Sequence, residues 1–266
     1  MAETAKPSAK LPGRRGGPTL PFKERVARAL AAEAARRVLP GDRDAYLRGL
    51  NLLCIGATHG LAGIRAEVAS KLGQIEALPR AATPRWVLNA AGEPEENDSP
   101  VWGLDAERAA AAASLNELRK AFAVAAYHHW ERSVSAWWHA AHPDARTGSG
   151  QTKATKQEEA PRGFKELARH AGALSAPPDP TLRQVATLSN ALKHNSEQRW
   201  HEPKAQWPEL IAHDCSDYRA DWTDTIQLTD AQLLEVFQAV QRSGPRDADV
   251  RDDGWAALPF TPRDDT

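Results

Sequence analysis

Two cysteines in 266 residues are too few for a disulfide framework, and their scarcity points to a reducing, cytoplasmic setting. Cys54 falls on an apolar helical stripe and reads as a small core residue. No apolar run approaches the roughly 20 residues needed to span a bilayer, which argues against a membrane protein. The segment from Met1 to Gly17 is polar and basic with no apolar h-region, so it does not read as a secretory signal. The formal net charge is only -1, which leaves no global field to draw in nucleic acid or an anionic membrane. A nucleic-acid ligand would need a local basic patch. Strand signals are weak, and internal repeats are absent. There is no phosphate-cradling glycine loop, nucleophile elbow or zinc-finger spacing. What remains is ordinary globular composition, 41% hydrophobic and 26% charged, with nine tryptophans.

The periodicity of the apolar residues predicts an all-α chain, a bundle built on two long antiparallel helices with long loops and flexible termini. Residues 1–18, rich in Lys, Arg, Gly and Pro, read as a disordered basic tail. Residues 19–244 read as the helical domain and 245–266 as a loose, charged tail. A first helix is expected from about Pro21 to Val38, stopping before Pro40-Gly41. The next carries a stripe of Leu47, Leu50, Cys54, Ala57, Leu61, Ile64, Val68, Leu72 and Ile75 at steps of three or four. Residues 78–100 read as a long loop with a short strand at Trp86-Val87-Leu88. A second long helix runs from about Asp105 to Ala141, with Leu115, Phe122, Ala126, Trp130 and Trp137 on one side. His128, Glu131, Arg132, Ser135, His139 and His142 fall on the other. The two long stripes should pack at a shallow angle over many turns. Residues 144–160 read as an exposed loop, followed by a short helix from about Pro161 to Ala171. Pro180 opens the next helix. Beyond it, Trp200, Trp207 and Trp222 stand in irregular sequence. Thr229-Asp230-Ala231-Gln232 is a capping box that starts the last helix.

The stretch Ser189-Asn190-Ala191-Leu192-Lys193-His194 puts an amide and an imidazole one turn apart on a helix face. A histidine that titrates near neutrality moves protons, an amide orients a phosphate, and a neighbouring cation stabilises transition-state charge. The bland alternative is that Asn190 and His194 satisfy a helix end. His128 with Glu131, and His139 with His142, have an i,i+3 spacing that a divalent ion can use, but no further ligand cluster accompanies them. No metal or other cofactor is expected. Trp200 and Trp207 beside the motif are candidate stacking platforms for bases.

This stretch resembles the signature of the HEPN superfamily, helical bundles whose motif is Arg, four to six residues, then His, often with Asn directly after the Arg. Asn190 and His194 occupy the Asn and His positions, and Ser189 stands where the Arg would be. Glu131 and Arg132 match the polar group that such domains commonly present from another helix. The resemblance covers roughly Leu118 to Arg199. It implies a metal-independent endoribonuclease or toxin-type RNA-cutting protein of microbial stress or phage defence, acting as a homodimer on RNA, with a partner or antitoxin protein. His194 would be the general acid/base, Asn190 the orienting amide, Arg132 the phosphate cation and Glu131 its partner. Lys193, Arg183 and Trp200 would bind substrate. His194 is then expected to point toward Glu131 or Arg132. The competing expectation is a non-catalytic helical interaction module, an inactive scaffold on the same fold.

Overall fold

The computed structural model describes residues 22–78, 86–96, 100–142, 161–174, 176–211, 222–245 and 255–263, with the side chains of the first helix described from Arg43 onward. Among these the chain is all-helical apart from one two-stranded hairpin. The helices are α1 (Phe22–Ala77), α2 (Pro100–Ala141), α3 (Gly163–Ala173), α4 (Leu182–His194), α5 (Glu197–Gln206) and α6 (Asp230–Arg242). Strands β1 (Trp86–Leu88) and β2 (Pro94–Glu96) pair antiparallel in the loop between α1 and α2. The reading of residues 1–18 as a tail, of 144–160 as a loop, and the whole of Cys215 lie outside the described residues.

The two long helices do pack as one seam. A Cβ on Gly49 would meet His129, one on Gly56 would meet Phe122, and one on Gly60 would meet Leu118, while Lys71 pairs with Glu107 at 2.6 Å. As residue numbers rise on α1 they fall on α2, so the helices are antiparallel. From Gly49 to Lys71 they stay in contact for about 33 Å at 1.5 Å per residue. A steep crossing would part them within a few turns.

Leu50, Cys54, Ala57 and Leu61 from α1 are buried, as are Ala123, Ala126, Trp130, Val134 and Trp137 from α2. The stripe on α1 is not buried to its end: Leu72 is 45% exposed. The reason is the reach of α6. Its first residue, Asp230, meets Arg65, and Val240 near its end accepts the Tyr46 hydroxyl. It therefore covers α1 only between these two points.

Three sequence expectations need correction. The helix expected to stop at Val38 runs on through Pro40-Gly41 as part of α1. The proline forfeits one amide hydrogen bond, a cost of about 3 kcal/mol that the alanine- and leucine-rich sequence on either side absorbs. The stretch after His194 is not irregular but contains α5. It lacks an apolar period because only Trp200 and Pro203 of its residues are buried, and Pro203 sits inside it. Nor is the C-terminal tail loose over its described part. Phe260 is 5% exposed and packs edge-on against Phe237, Gln241 donates to the Ala256 carbonyl, and Thr58 donates to the Pro259 carbonyl. The charge of the tail hid one aromatic anchor.

The segment from Trp222 to Thr229 is held by α2 rather than by its own secondary structure. The Asn116 amide donates to the Ile226 carbonyl and accepts from the Leu228 amide, both at 2.9 Å. One side chain thus imitates a strand partner. Lys120 donates to the Thr223 carbonyl at 2.7 Å. The capping box then starts α6 as expected, with both reciprocal bonds formed.

His129 shows how tight the seam is. Its ring stacks on Tyr46 at 4.8 Å, and its Nε2–H donates to the Tyr46 carbonyl at 2.9 Å. Burial, with the Arg132 charge adding to it, holds its pKa below the usual histidine value despite that bond. A Cβ on Gly49 would lie 2.5 Å from His129 Cε1. Because a stacked ring cannot yield freely, Gly49→Ala should destabilise the fold by about 1–3 kcal/mol despite the better helix propensity of alanine. Urea unfolding of the two proteins measures it, and equal midpoints would show the seam to be softer than this.

Candidate functional site

α4 amphipathicity decides which motif residues face inward. Leu182, Val185, Ala186, Leu188, Ser189 and Ala191 are buried, and Leu192 is partly buried against the same core. Asn190 is half-buried, and Lys193 and His194 are exposed. Lys193 turns back over α2, with its Nζ 5.9 Å from the centre of the Tyr127 ring. This contact joins the motif helix to the buried Tyr127 of α2.

On α2 one carboxylate organises the face. Glu131 Oε2 accepts the His128 Nδ1–H at 2.6 Å. Burial pushes the Tyr127 pKa well above its usual value, and the Glu131 charge one turn on pushes it further the same way. Arg132 is exposed and folds back along its own helix, its Nε donating to the His128 carbonyl at 3.3 Å. The spacing is what a helix dictates: residues three and four apart share a face, so Tyr127 and His128 both lie on the Glu131 side.

The structure brings together only part of the expected constellation. Lys193 meets α2 at Tyr127, and Glu131 and Arg132 follow on the next turn of α2. His194 does not join them as expected: it makes no hydrogen bond or ion pair, and it is one residue, about 100°, round the helix from Lys193. Asn190 is on the same helix with no hydrogen-bond partner of its side chain. Arg183 is exposed in the first turn of α4, eleven residues and about 16 Å before His194. Trp200 is not a stacking platform. It is 2% exposed, its Nε1 donates to Thr225 at 2.7 Å, and Lys204 lies 4.6 Å over its ring. A buried indole has no face to offer a base. Ser189, in the position of the signature Arg, is 1% exposed and its hydroxyl has no partner. That position looks into the core, not toward a phosphate.

His128 and Glu131 spend their shared spacing on a hydrogen bond to each other. His139 has a buried Nδ1 without a partner, and His142 donates to the Trp138 carbonyl at 2.8 Å. Among the described residues no group of three or more His, Cys, Asp or Glu is placed to hold a metal ion. None of the helices is long and apolar enough to cross a membrane, again among the described residues. A cleft of about 310 Å³ lies between α2 and α3 beside Trp138, and a polar one of about 380 Å³ between α4, α5 and α6 beside Trp207. Neither is lined by Asn190 or His194.

No known protein-family model, curated protein or solved structure matches this chain. The functional argument therefore rests on its own residues. Two of them are hidden in the sequence: Tyr127 sits on the buried stripe of α2, and the His128 spacing suits a metal ligand as well as a hydrogen bond. The pattern Tyr127-His128-x-x-Glu131, with both residues one turn before one carboxylate, was the signal that could have found them.

Proposed function

We propose that the chain is a metal-independent endoribonuclease of HEPN-like design, working at the seam between α2 and α4. Its setting would be microbial stress or phage defence, in the cytoplasm, as a homodimer and with an antitoxin or other partner protein. One observation carries this reading: Lys193, carried by the motif helix, is held 5.9 Å from the ring of Tyr127 on α2, one turn before the Glu131 carboxylate that accepts the His128 Nδ1–H. A lysine thereby puts positive charge beside a proton-moving group, the role that Ser189 cannot fill. Arg132 supplies a second cation on the same turn of α2. The scission is transesterification. The ribose 2′-oxygen bonds to phosphorus, the bond from phosphorus to the 5′-oxygen breaks, and a 2′,3′-cyclic phosphate and a 5′-hydroxyl remain. Cations that neutralise the extra charge on phosphorus are worth most in the transition state.

The competing reading is a non-catalytic helical interaction module. It is favoured by the buried Ser189 and by His194 standing without a partner. The two readings separate on purified protein mixed with total or transfer RNA, with and without EDTA. Cleavage should survive EDTA. Lys193→Ala should slow it by about 100-fold or more, the typical cost of one transition-state charge partner, with the melting temperature unchanged. RNA left intact by the wild-type protein would put the interaction module ahead.

A further inference from the structure

We propose that His128, held by Glu131, is the group that moves the proton in RNA cleavage, and that His194 is not. This rests on the nuclease reading above but assigns its chemistry to a different helix.

The partner of its ring distinguishes His128 from His129, His142, His194 and His201. Its Nδ1 lies 2.6 Å from Glu131 Oε2. His129 has its Nε2 spent on the Tyr46 carbonyl, and His142 has its Nδ1 spent on Trp138. His201 stands 3.7 Å from Glu197, beyond hydrogen-bond reach, and His194 has no partner. A carboxylate on one ring nitrogen fixes the tautomer and leaves the other nitrogen with the lone pair. Here Nδ1 carries the proton that Glu131 accepts, so Nε2 is the basic site.

Tyr127, one turn before Glu131 on α2, is 1% exposed, and burial together with the Glu131 charge keeps its phenol protonated. The pair is open enough for a substrate: the side chains of His128 and Glu131 are 37% and 25% exposed. Glu131 meets the imidazole directly and the Tyr127 ring lies beside it, while Arg132 bonds the His128 backbone carbonyl and Lys193 of α4 lies over the Tyr127 ring. His194 commands none of this.

In the step itself, neutral Nε2 takes the proton from the 2′-hydroxyl as that oxygen bonds to phosphorus. The 5′-oxygen leaves with its bonding pair and is protonated by water. The imidazolium then returns its proton to solvent, so charge and protons balance over one cycle. Glu131 is a positioning residue, because it touches the imidazole and not the RNA.

The experiment uses the full chain with a short single-stranded RNA, comparing wild type, His128→Ala, His194→Ala and Glu131→Gln across pH 5 to 8. His128→Ala should lower kcat by about 100- to 10,000-fold with KM little changed, and the rise of rate with pH should vanish. Glu131→Gln should lower kcat without raising KM. His194→Ala should cleave like wild type. Melting temperatures of all four should stay together, since none of these side chains is buried. A second readout does not need turnover: 2′,3′-cyclic CMP, titrated into wild type, should shift the imidazole NMR signals of His128 more than those of His194. Wild-type cleavage that persists in His128→Ala, or that disappears in His194→Ala, overturns the assignment while leaving the nuclease reading in place. RNA untouched by wild type removes the nuclease reading. That result takes the assignment with it, whereas cleavage that persists in His128→Ala sinks the assignment alone.

Discussion

Asp230→Ala should cost about 3–5 kcal/mol of folding stability, the usual loss when one partner of a buried ion pair is removed. Asp230 is the first residue of α6 and is 1% exposed. Its Oδ1 accepts from Arg119 Nε of α2 at 2.8 Å. Its Oδ2 accepts from Arg65 Nη2 of α1 at 2.8 Å and from the Arg263 backbone amide at 3.1 Å. One carboxylate thus ties together α1, α2, α6 and the C-terminal segment. The helix N-terminus beneath it adds a favourable dipole. Truncation takes a carboxylate away from the buried Arg119, 5% exposed, while water can reach the more open Arg65. Asp230→Asn keeps the shape and should lose less than Asp230→Ala, because an amide oxygen still accepts one of the bonds. Guanidinium unfolding followed by tryptophan fluorescence gives both numbers. A loss below about 1 kcal/mol for Asp230→Ala would mean that the network is no more than a surface pair.

This network shows where sequence reading succeeds and where it stops. Thr229-Asp230-Ala231-Gln232 identifies the start of α6 because a capping box is local: the residues that satisfy the helix end lie within one turn. The same four residues do not reveal that Asp230 also receives Arg65 and Arg119. Those partners are 165 and 111 residues away, and nothing local distinguishes them from exposed arginines. The long stripes on α1 and α2 were legible for the same reason as the capping box. Their period repeats every turn, and two such stripes have few ways to pack. The C-terminal segment was not, since it is anchored by Phe260 and by backbone bonds to distant side chains, neither of which leaves a periodic pattern. At the site, the polar face of α2 and the motif of α4 could be read separately. That Lys193 rather than His194 crosses to α2 depends on the rotation of α4 about its axis. That rotation is set by Leu182, Val185 and Leu188 packing into the core.

Ser189→Arg should unfold the protein, or weaken it by more than about 4 kcal/mol, rather than raise its activity. The resemblance implies the opposite, that an arginine here returns a missing phosphate cation beside His194. Burial decides between them. Ser189 is 1% exposed on the buried face of α4, and its neighbours Val185, Ala186 and Leu188 are core residues. An arginine at this position would need room for a long side chain in close-packed surroundings and would bury a charge with no carboxylate to meet it. Ser189→Ala is the control. The serine hydroxyl is buried with no hydrogen-bond partner, so its removal should be neutral or should stabilise by up to about 1 kcal/mol. The sign of that small change is informative, because a serine on a solvated functional face would gain nothing from becoming alanine. Thermal unfolding of the three proteins, followed by RNA cleavage assays on those that fold, tests both halves. If Ser189→Arg melts with wild type and cuts RNA faster, position 189 faces solvent, and the phosphate cation belongs on α4 next to His194. If it fails to fold while Ser189→Ala holds or gains stability, the motif helix presents Lys193 to the substrate and keeps Ser189 for the core.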